Sequence, residues 1–245
     1  FTITHLPYCI TVFSSRPIQF VYNYFSILKL KPNDSTMNDN STLIHNEITG
    51  LEFARKYLLN DVVLKKLINS IDLPPLTPSK KFFQDLIESI ISQQLSVKAS
   101  ETIFKRFKEL LPSEYTPEDV WSLSYDQMRS AGLSKAKATY VHAVAHEIVI
   151  NKFDTNTVYQ MSDEEVITRL TKIKGIGRWT AEMILIFSLA RPDVFSMGDL
   201  GLRTAVEKLY GIERTNLKAI YELSKQWKPY RSYASRYLWK SLNNK

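Results

Sequence analysis

The sequence predicts an all-α protein, and three observations carry that prediction. Apolar residues recur at three- and four-residue spacing, as in Phe83, Leu86, Ile87, Ile90 and Ile91, which places them on one face of a helix. Runs that alternate apolar and polar residues, the mark of a half-buried strand, are scarce. Capping residues stand where helix ends need their backbone groups satisfied. Together these predict about ten helices joined by short connections.

Residues 1–45 stand apart from this pattern. They are rich in Ser, Thr, Asn, Tyr and Phe, with no acid before Asp34, and are expected to form an irregular extension without a rigid core. Their hydroxyl-rich, acid-poor composition is similar to that of an organellar presequence. Against that, Arg16 is the sole arginine before Lys29, and Met37 is an alternative start.

From Leu43 onward the pattern is helical. Thr116-Pro117-Glu118-Asp119 sets a capping hydroxyl before a proline at the first helical position, and Ser124 with Gln127 makes a capping box. Gly132 ends that helix, and Ser134 caps the next, through Lys137, Tyr140 and Val144. Ser162 and Glu165 make another capping box, and the helix they open stops at Lys174-Gly175-Ile176-Gly177. A new helix starts at Arg178. Asp199 is placed to cap a further one, through Leu202, Val206 and Leu209 to Gly211.

Composition narrows the function classes. With 23% charged and 44% hydrophobic residues, the chain can bury a proper core. A formal charge of +7 favours a polyanionic partner, either nucleic acid or an anionic membrane surface. Cys9 is the only cysteine, which excludes an internal disulfide framework, a thiolate zinc site and a four-cysteine iron–sulfur cluster. A reducing, intracellular compartment is expected. No apolar run is long enough to span a membrane, because Arg16, Pro17 and Gln19 interrupt the hydrophobic N-terminal stretch.

The most informative stretch is Leu170-Thr171-Lys172-Ile173-Lys174-Gly175-Ile176-Gly177-Arg178-Trp179-Thr180-Ala181, a helix, a tight glycine hairpin and a second helix. Two glycines flanking one apolar residue let the backbone turn sharply and leave amides bare at the positive end of the next helix. Such amides can bind a phosphate, and main-chain contacts read the DNA backbone instead of base sequence. The plainer alternative is that Gly175 ends one helix and Gly177 permits a close approach.

These residues resemble the helix-hairpin-helix superfamily of base-excision DNA glycosylases, in which such a hairpin is followed by a catalytic aspartate. Asp193-Val194-Phe195-Ser196-Met197-Gly198-Asp199 puts Asp199 at that place. Ile91-Ser92-Gln93-Gln94-Leu95-Ser96, and Trp227-Lys228-Pro229-Tyr230-Arg231-Ser232-Tyr233-Ala234 leading to Trp239, are similar to the alkyl-base branch, the 3-methyladenine DNA glycosylase II type. The resemblance spans residues 55–242. It implies two helical lobes flanking an active-site cleft: 82–190, which carries the hairpin, and 46–81 together with 191–245, which carries the aspartate.

The implied reaction breaks the bond between base and deoxyribose through a cationic sugar, which a fixed carboxylate stabilises. Asp199 would supply it, and would orient or deprotonate water; it is also simply a good N-cap. Held by backbone amides at a helix start, its carboxyl is expected to keep a low pKa. Members of the superfamily that also cut the strand carry a lysine where this chain has Trp179. An indole forms no Schiff base, so the resemblance implies a monofunctional enzyme that releases 3-methyladenine or 7-methylguanine and leaves an intact abasic site.

By resemblance, Trp179 and Trp239 line the base pocket, where an aromatic face suits a cationic purine. Trp121 and Trp227 are expected in the core. Gln94 matches the wedge that fills the gap left by a flipped base, where other members carry leucine. Gly175, Gly177, Lys174 and Arg178 are the expected DNA contacts, with Arg203, Lys225, Lys228, Arg231 and Arg236 as further basic candidates. No cofactor is required; the resemblance implies Na⁺ or K⁺ on hairpin carbonyls of Thr171 and Ile173. His142 and His146, at i and i+4, lack a third ligand at a zinc-site spacing. The chain is expected to act as a monomer on damaged double-stranded DNA, wherever the cell keeps that DNA, cytoplasm or nucleus. Two rivals remain: a bifunctional glycosylase/lyase, and a non-catalytic clamp using the hairpin alone.

Overall fold

The computed structural model describes residues 50–242, and these form helices and turns with no strand among them. The N-terminal extension, with Cys9 and Met37, lies outside the described residues. After helical residues 50–58 come α1 (Val62–Ser70), α2 (Phe82–Ser92), α3 (Val97–Lys108), α4 (Pro117–Ser122), α5 (Tyr125–Ser130) and α6 (Lys135–Val149). A 3₁₀ turn, Thr155–Tyr159, leads to α7 (Asp163–Leu170) and α8 (Arg178–Phe187). Last are α9 (Leu200–Tyr210), α10 (Leu217–Lys225) and α11 (Arg231–Ser241).

Local chemistry sets these boundaries. Thr116 with Asp119, Ser124 with Gln127, and Ser162 with Glu165 all form reciprocal capping boxes, each removing two orphan donors. Ser134 and Asp199 cap α6 and α9 as expected, and Gly211 ends α9 in a left-handed conformation at φ 69°.

The principal helix contacts fall into two sets. α2 packs on α3, α6 and α8, while α4 and α5 pack on α6, and α7 on α8. α2 and α8 are central: Phe82, Phe83, Leu86, Ile87, Ile90 and Ile91 are all buried on the first, and every residue from Thr180 to Phe187 on the second. Each such aliphatic side chain contributes about 1.5–3 kcal/mol on leaving water.

The second set is α11 against α1 and α9. Asp61 is its polar hub. Its carboxylate caps α1 through the Val63 and Leu64 amides, both at 2.9 Å, and accepts the Tyr210 hydroxyl and, at 2.9 Å, the Trp227 indole N–H. Trp227 is core, as expected. Trp121 is not: it is 37% exposed and packs against the rings of His142 and His146. α4 has only two turns, of which Val120 supplies the buried face, so the neighbouring indole lies over α6 at the surface.

A second polar cluster sits on α2. Asp85 Oδ2, Glu88 Oε1 and the Tyr115 hydroxyl have no hydrogen-bond partner among the described residues. Burial pushes the Asp85 carboxyl up to about 6, opposed by the Ser79 and Ser188 hydroxyls. Burial, then the Asp85 charge, pushes Glu88 up to about 7, opposed by Lys108.

Candidate active site

The hairpin holds its shape for a reason specific to one glycine. Gly175 has φ 98°, and a Cβ there would lie 2.2 Å from Cγ of Tyr140 on α6, so both backbone and space demand glycine. Its carbonyl accepts from Gln93 Nε2 at 3.1 Å, which fastens the hairpin to the end of α2. Gly177 differs. It has an ordinary extended conformation at the N-cap of α8, and a Cβ there would meet no atom within 4 Å. The residue is exposed. Lys172 and Lys174 are exposed on the same turn.

Asp199 is reached through a loop pinned along its length. Arg191 donates to the Tyr159 and Met161 carbonyls, Arg231 holds Asp193 at 2.6 Å, and the Val194 amide donates to Ser232 Oγ. Glu182 accepts from Ser196. The loop delivers Asp199 to the start of α9 with 1% exposure. Oδ1 accepts the Leu202 amide at 2.6 Å and the Trp239 indole N–H at 2.9 Å; Oδ2 accepts the Trp179 indole N–H at 2.8 Å. One carboxylate is thus gripped by the helix it caps and by both tryptophans singled out in the sequence.

Burial raises the Asp199 carboxyl above the usual aspartate range, correcting the low value expected of a helix cap. Donors from Trp239, Leu202 and Trp179, and the charge of Arg203, pull the other way because each favours the ionised form. At 1% exposure, loss of hydration outweighs them.

The remaining candidates are placed as follows. Trp179 is half-buried. Trp239 is 1% exposed, with its ring 5.9 Å from that of Phe187, so it meets the site through its N–H and presents no open face. Gln94 is exposed at φ 57°, a left-handed conformation uncommon outside glycine, in the turn between α2 and α3. Arg178 is exposed, but its guanidinium already bonds Glu164 and Glu182. Arg231 is committed to Asp193, Lys225 to Glu222, and Arg203 to the Arg214 carbonyl, whereas Lys228 is exposed. Arg236 is 2% exposed and donates to the Pro74 carbonyl at 2.6 Å, so it is a buried tie and not a phosphate contact.

Sequence reasoning missed several contributors. Gln93 binds the hairpin, Lys137 Nζ donates to the Ile91 carbonyl at 2.6 Å, and Tyr140 backs Gly175. Gln93 stood beside a residue already singled out; nothing local distinguished Lys137 or Tyr140. No three His, Cys, Asp or Glu side chains converge on a metal position among the described residues. The hairpin does offer hard carbonyl oxygens: among the described residues the Ile173 oxygen accepts the Ile176 amide alone, at 3.1 Å, and retains acceptor capacity that fits a monovalent cation.

A helix-hairpin-helix with an exposed glycine at the start of its second helix, joined to a buried carboxylate clasped by two indoles, defines a single-acid site beside a glycine turn. The chain belongs to the family described as HhH-GPD superfamily base excision DNA repair protein, whose model matches residues 87–229. It is 37% identical over 166 residues to DNA-3-methyladenine glycosylase 1 of Schizosaccharomyces pombe, covering 66% of this chain and 73% of that one. Among solved structures it resembles the 3-methyladenine DNA glycosylase Mag1 of that yeast in complex with abasic DNA, with TM-score 0.69, 35% identity, and coverage of 77% and 95%. It also resembles the DNA-3-methyladenine glycosidase of Bacillus halodurans, with TM-score 0.67, 36% identity, and coverage of 77% and 88%.

Proposed function

We propose that this chain is a monofunctional DNA glycosylase of base excision repair that releases alkylated purines from duplex DNA. The observation that carries the reading is Asp199, fixed by Trp179 and Trp239 at the end of the loop that follows the hairpin helix. As the bond from sugar C1′ to the base nitrogen breaks, the base leaves with the electron pair and positive charge grows on the sugar. A carboxylate oriented in advance stabilises that charge without reorganising. Water then adds to C1′ and yields its proton to Asp199 or to solvent, leaving an abasic site. Trp179 offers no amine to attack the sugar, which supports hydrolysis over strand cleavage.

Engagement of DNA starts at the hairpin, where the Gly177 amide and Lys174 meet backbone phosphate. Gln94, on a turn held by Lys137 and by neighbouring Gln93, fills the gap left by the flipped base. The carbonyls of Thr171 and Ile173 would hold Na⁺ or K⁺, which would supply positive charge toward the phosphate. The protein acts wherever the cell keeps its DNA, and no helix among the described residues is long and apolar enough to cross a membrane.

The test is chromatography of bases freed from methylated duplex DNA by the wild type and by Asp199→Asn. Asparagine preserves the shape but not the charge, so release should fall about 10²–10³-fold while duplex binding persists. Equal rates for the two proteins, or no release by either, would overturn the reading; binding without release would favour the clamp.

A further inference from the structure

The outer face of the hairpin and the seat of Asp199 are joined by a second line of contacts, separate from Trp179. Arg178 opens α8 beside exposed Gly177, and its guanidinium is shared between two acids. Nη2 donates to Glu164 on α7 at 2.7 Å, and Nε donates to Glu182, one turn further along α8, at 3.0 Å. The acids sit in different surroundings: the Glu164 side chain is 71% exposed and that of Glu182 only 9%. Glu182 Oε2 accepts the hydroxyl of Ser196, a fully buried residue, and the Ser196 carbonyl accepts the Asp199 amide at 3.0 Å.

A buried carboxylate is stable only while its oxygens are paired. Glu182 has one oxygen on Arg178 and the other on Ser196, so the two contacts depend on each other through one rigid group. Ser196 is also the residue whose carbonyl sets the last turn before Asp199.

We propose that Glu182 is a positioning residue for Asp199, tying the seat of that carboxylate to Arg178 at the DNA-facing end of the hairpin. This rests on Asp199 being the carboxylate that releases the base. Exposed Glu164 holds the outward guanidinium nitrogens in the free protein. A duplex phosphate presents a similar pair of acceptor oxygens with equal or greater charge. Phosphate therefore replaces Glu164 and leaves the inner Nε–Glu182 contact intact, so Arg178 grips DNA from a base already locked to the Asp199 loop.

Single-turnover base release, affinity for a duplex carrying a tetrahydrofuran abasic analogue, and the indole N–H resonances of Trp179 and Trp239 in DNA-free protein together test this. Ser196→Ala removes one buried hydroxyl and keeps the fold; Glu182→Ala removes the bridge. Each should slow release about ten- to hundredfold, change affinity less than about threefold, and move both indole resonances. The double variant should be no slower than Glu182→Ala, because both break one chain of contacts. Glu182→Gln should recover most of the rate, since an amide can still join Arg178 to Ser196.

Unmoved resonances with a wild-type rate in Ser196→Ala would overturn the proposal, as would multiplicative losses in the double variant or parallel losses of rate and affinity. Wild-type protein that frees no base would defeat the functional reading instead, and the resonances would still decide whether Glu182 seats Asp199.

Discussion

The two hairpin glycines should fail in opposite ways when each is replaced by alanine. At Gly175 the left-handed backbone, φ 98°, costs a side chain about 1–2 kcal/mol. The new Cβ would also stand 2.2 Å from Cγ and 2.5 Å from Cβ of Tyr140, the stem of that side chain and not its flexible end. Relieving such an overlap moves α6 or the hairpin, at about 1–3 kcal/mol. Gly175→Ala should therefore lose about 2–5 kcal/mol in urea unfolding, with DNA affinity falling because the turn shifts. At Gly177 the backbone is ordinary and no atom lies within 4 Å of a Cβ, so alanine should cost only about 1 kcal/mol as a poorer N-cap. Its methyl would nevertheless crowd the phosphate contact proposed for that amide. Fluorescence anisotropy with undamaged duplex should show weaker binding by a protein of nearly normal stability. A Gly175→Ala protein within about 0.5 kcal/mol of wild type, or a Gly177→Ala protein that binds DNA normally, would refute the reasoning.

Other expectations concern acids. Because burial raises the Asp199 carboxyl, the acid limb of the base-release profile should lie above the ordinary aspartate range; Trp179→Phe removes a donor to the ionised form and should move that limb to higher pH. Glu88 and Asp85 have raised values in the folded protein, of about 7 and 6, so they favour folding at low pH and that contribution is lost as pH rises through these values. Glu88→Gln should therefore stabilise by on the order of 1–3 kcal/mol at pH 8 and by little at pH 4, as read from thermal melts. Asp61→Ala strips the cap of α1 and orphans the Trp227 and Tyr210 donors, and should cost about 3–5 kcal/mol in urea unfolding.

Much of this architecture was legible locally. Thr116, Ser124, Ser134, Ser162 and Asp199 each announced a helix start because capping is a contract between neighbours three residues apart. The hairpin was legible from its two closely spaced glycines, whereas Asp199, Trp179 and Trp239 were singled out together by resemblance, and the structure brings the three into contact. What escaped depends on residues distant in the chain. Gln93 finds Gly175, Lys137 finds Ile91, and Arg236 finds Pro74, and no periodicity encodes those meetings. The direction of the Asp199 shift was misjudged because capping amides are visible in sequence, whereas the depth at which loop and indoles bury the carboxylate is not. Trp121 shows the converse: its apolar character suggested core, but a two-turn helix has only one face to hide.

The Asp61 hub has a consequence for how the protein comes into being. Its two most distant partners, Tyr210 and Trp227, lie 149 and 166 residues downstream. At ribosomal speeds of about 5–20 residues per second, Asp61 leaves the synthesis machinery roughly ten to thirty seconds ahead of the indole that completes it. The helices of α2 to α8 can settle in that interval, whereas α1 must wait for α9 and α11. A nascent chain therefore acquires its glycine hairpin before the carboxylate beside it is seated, and the assembled site is the last feature it gains.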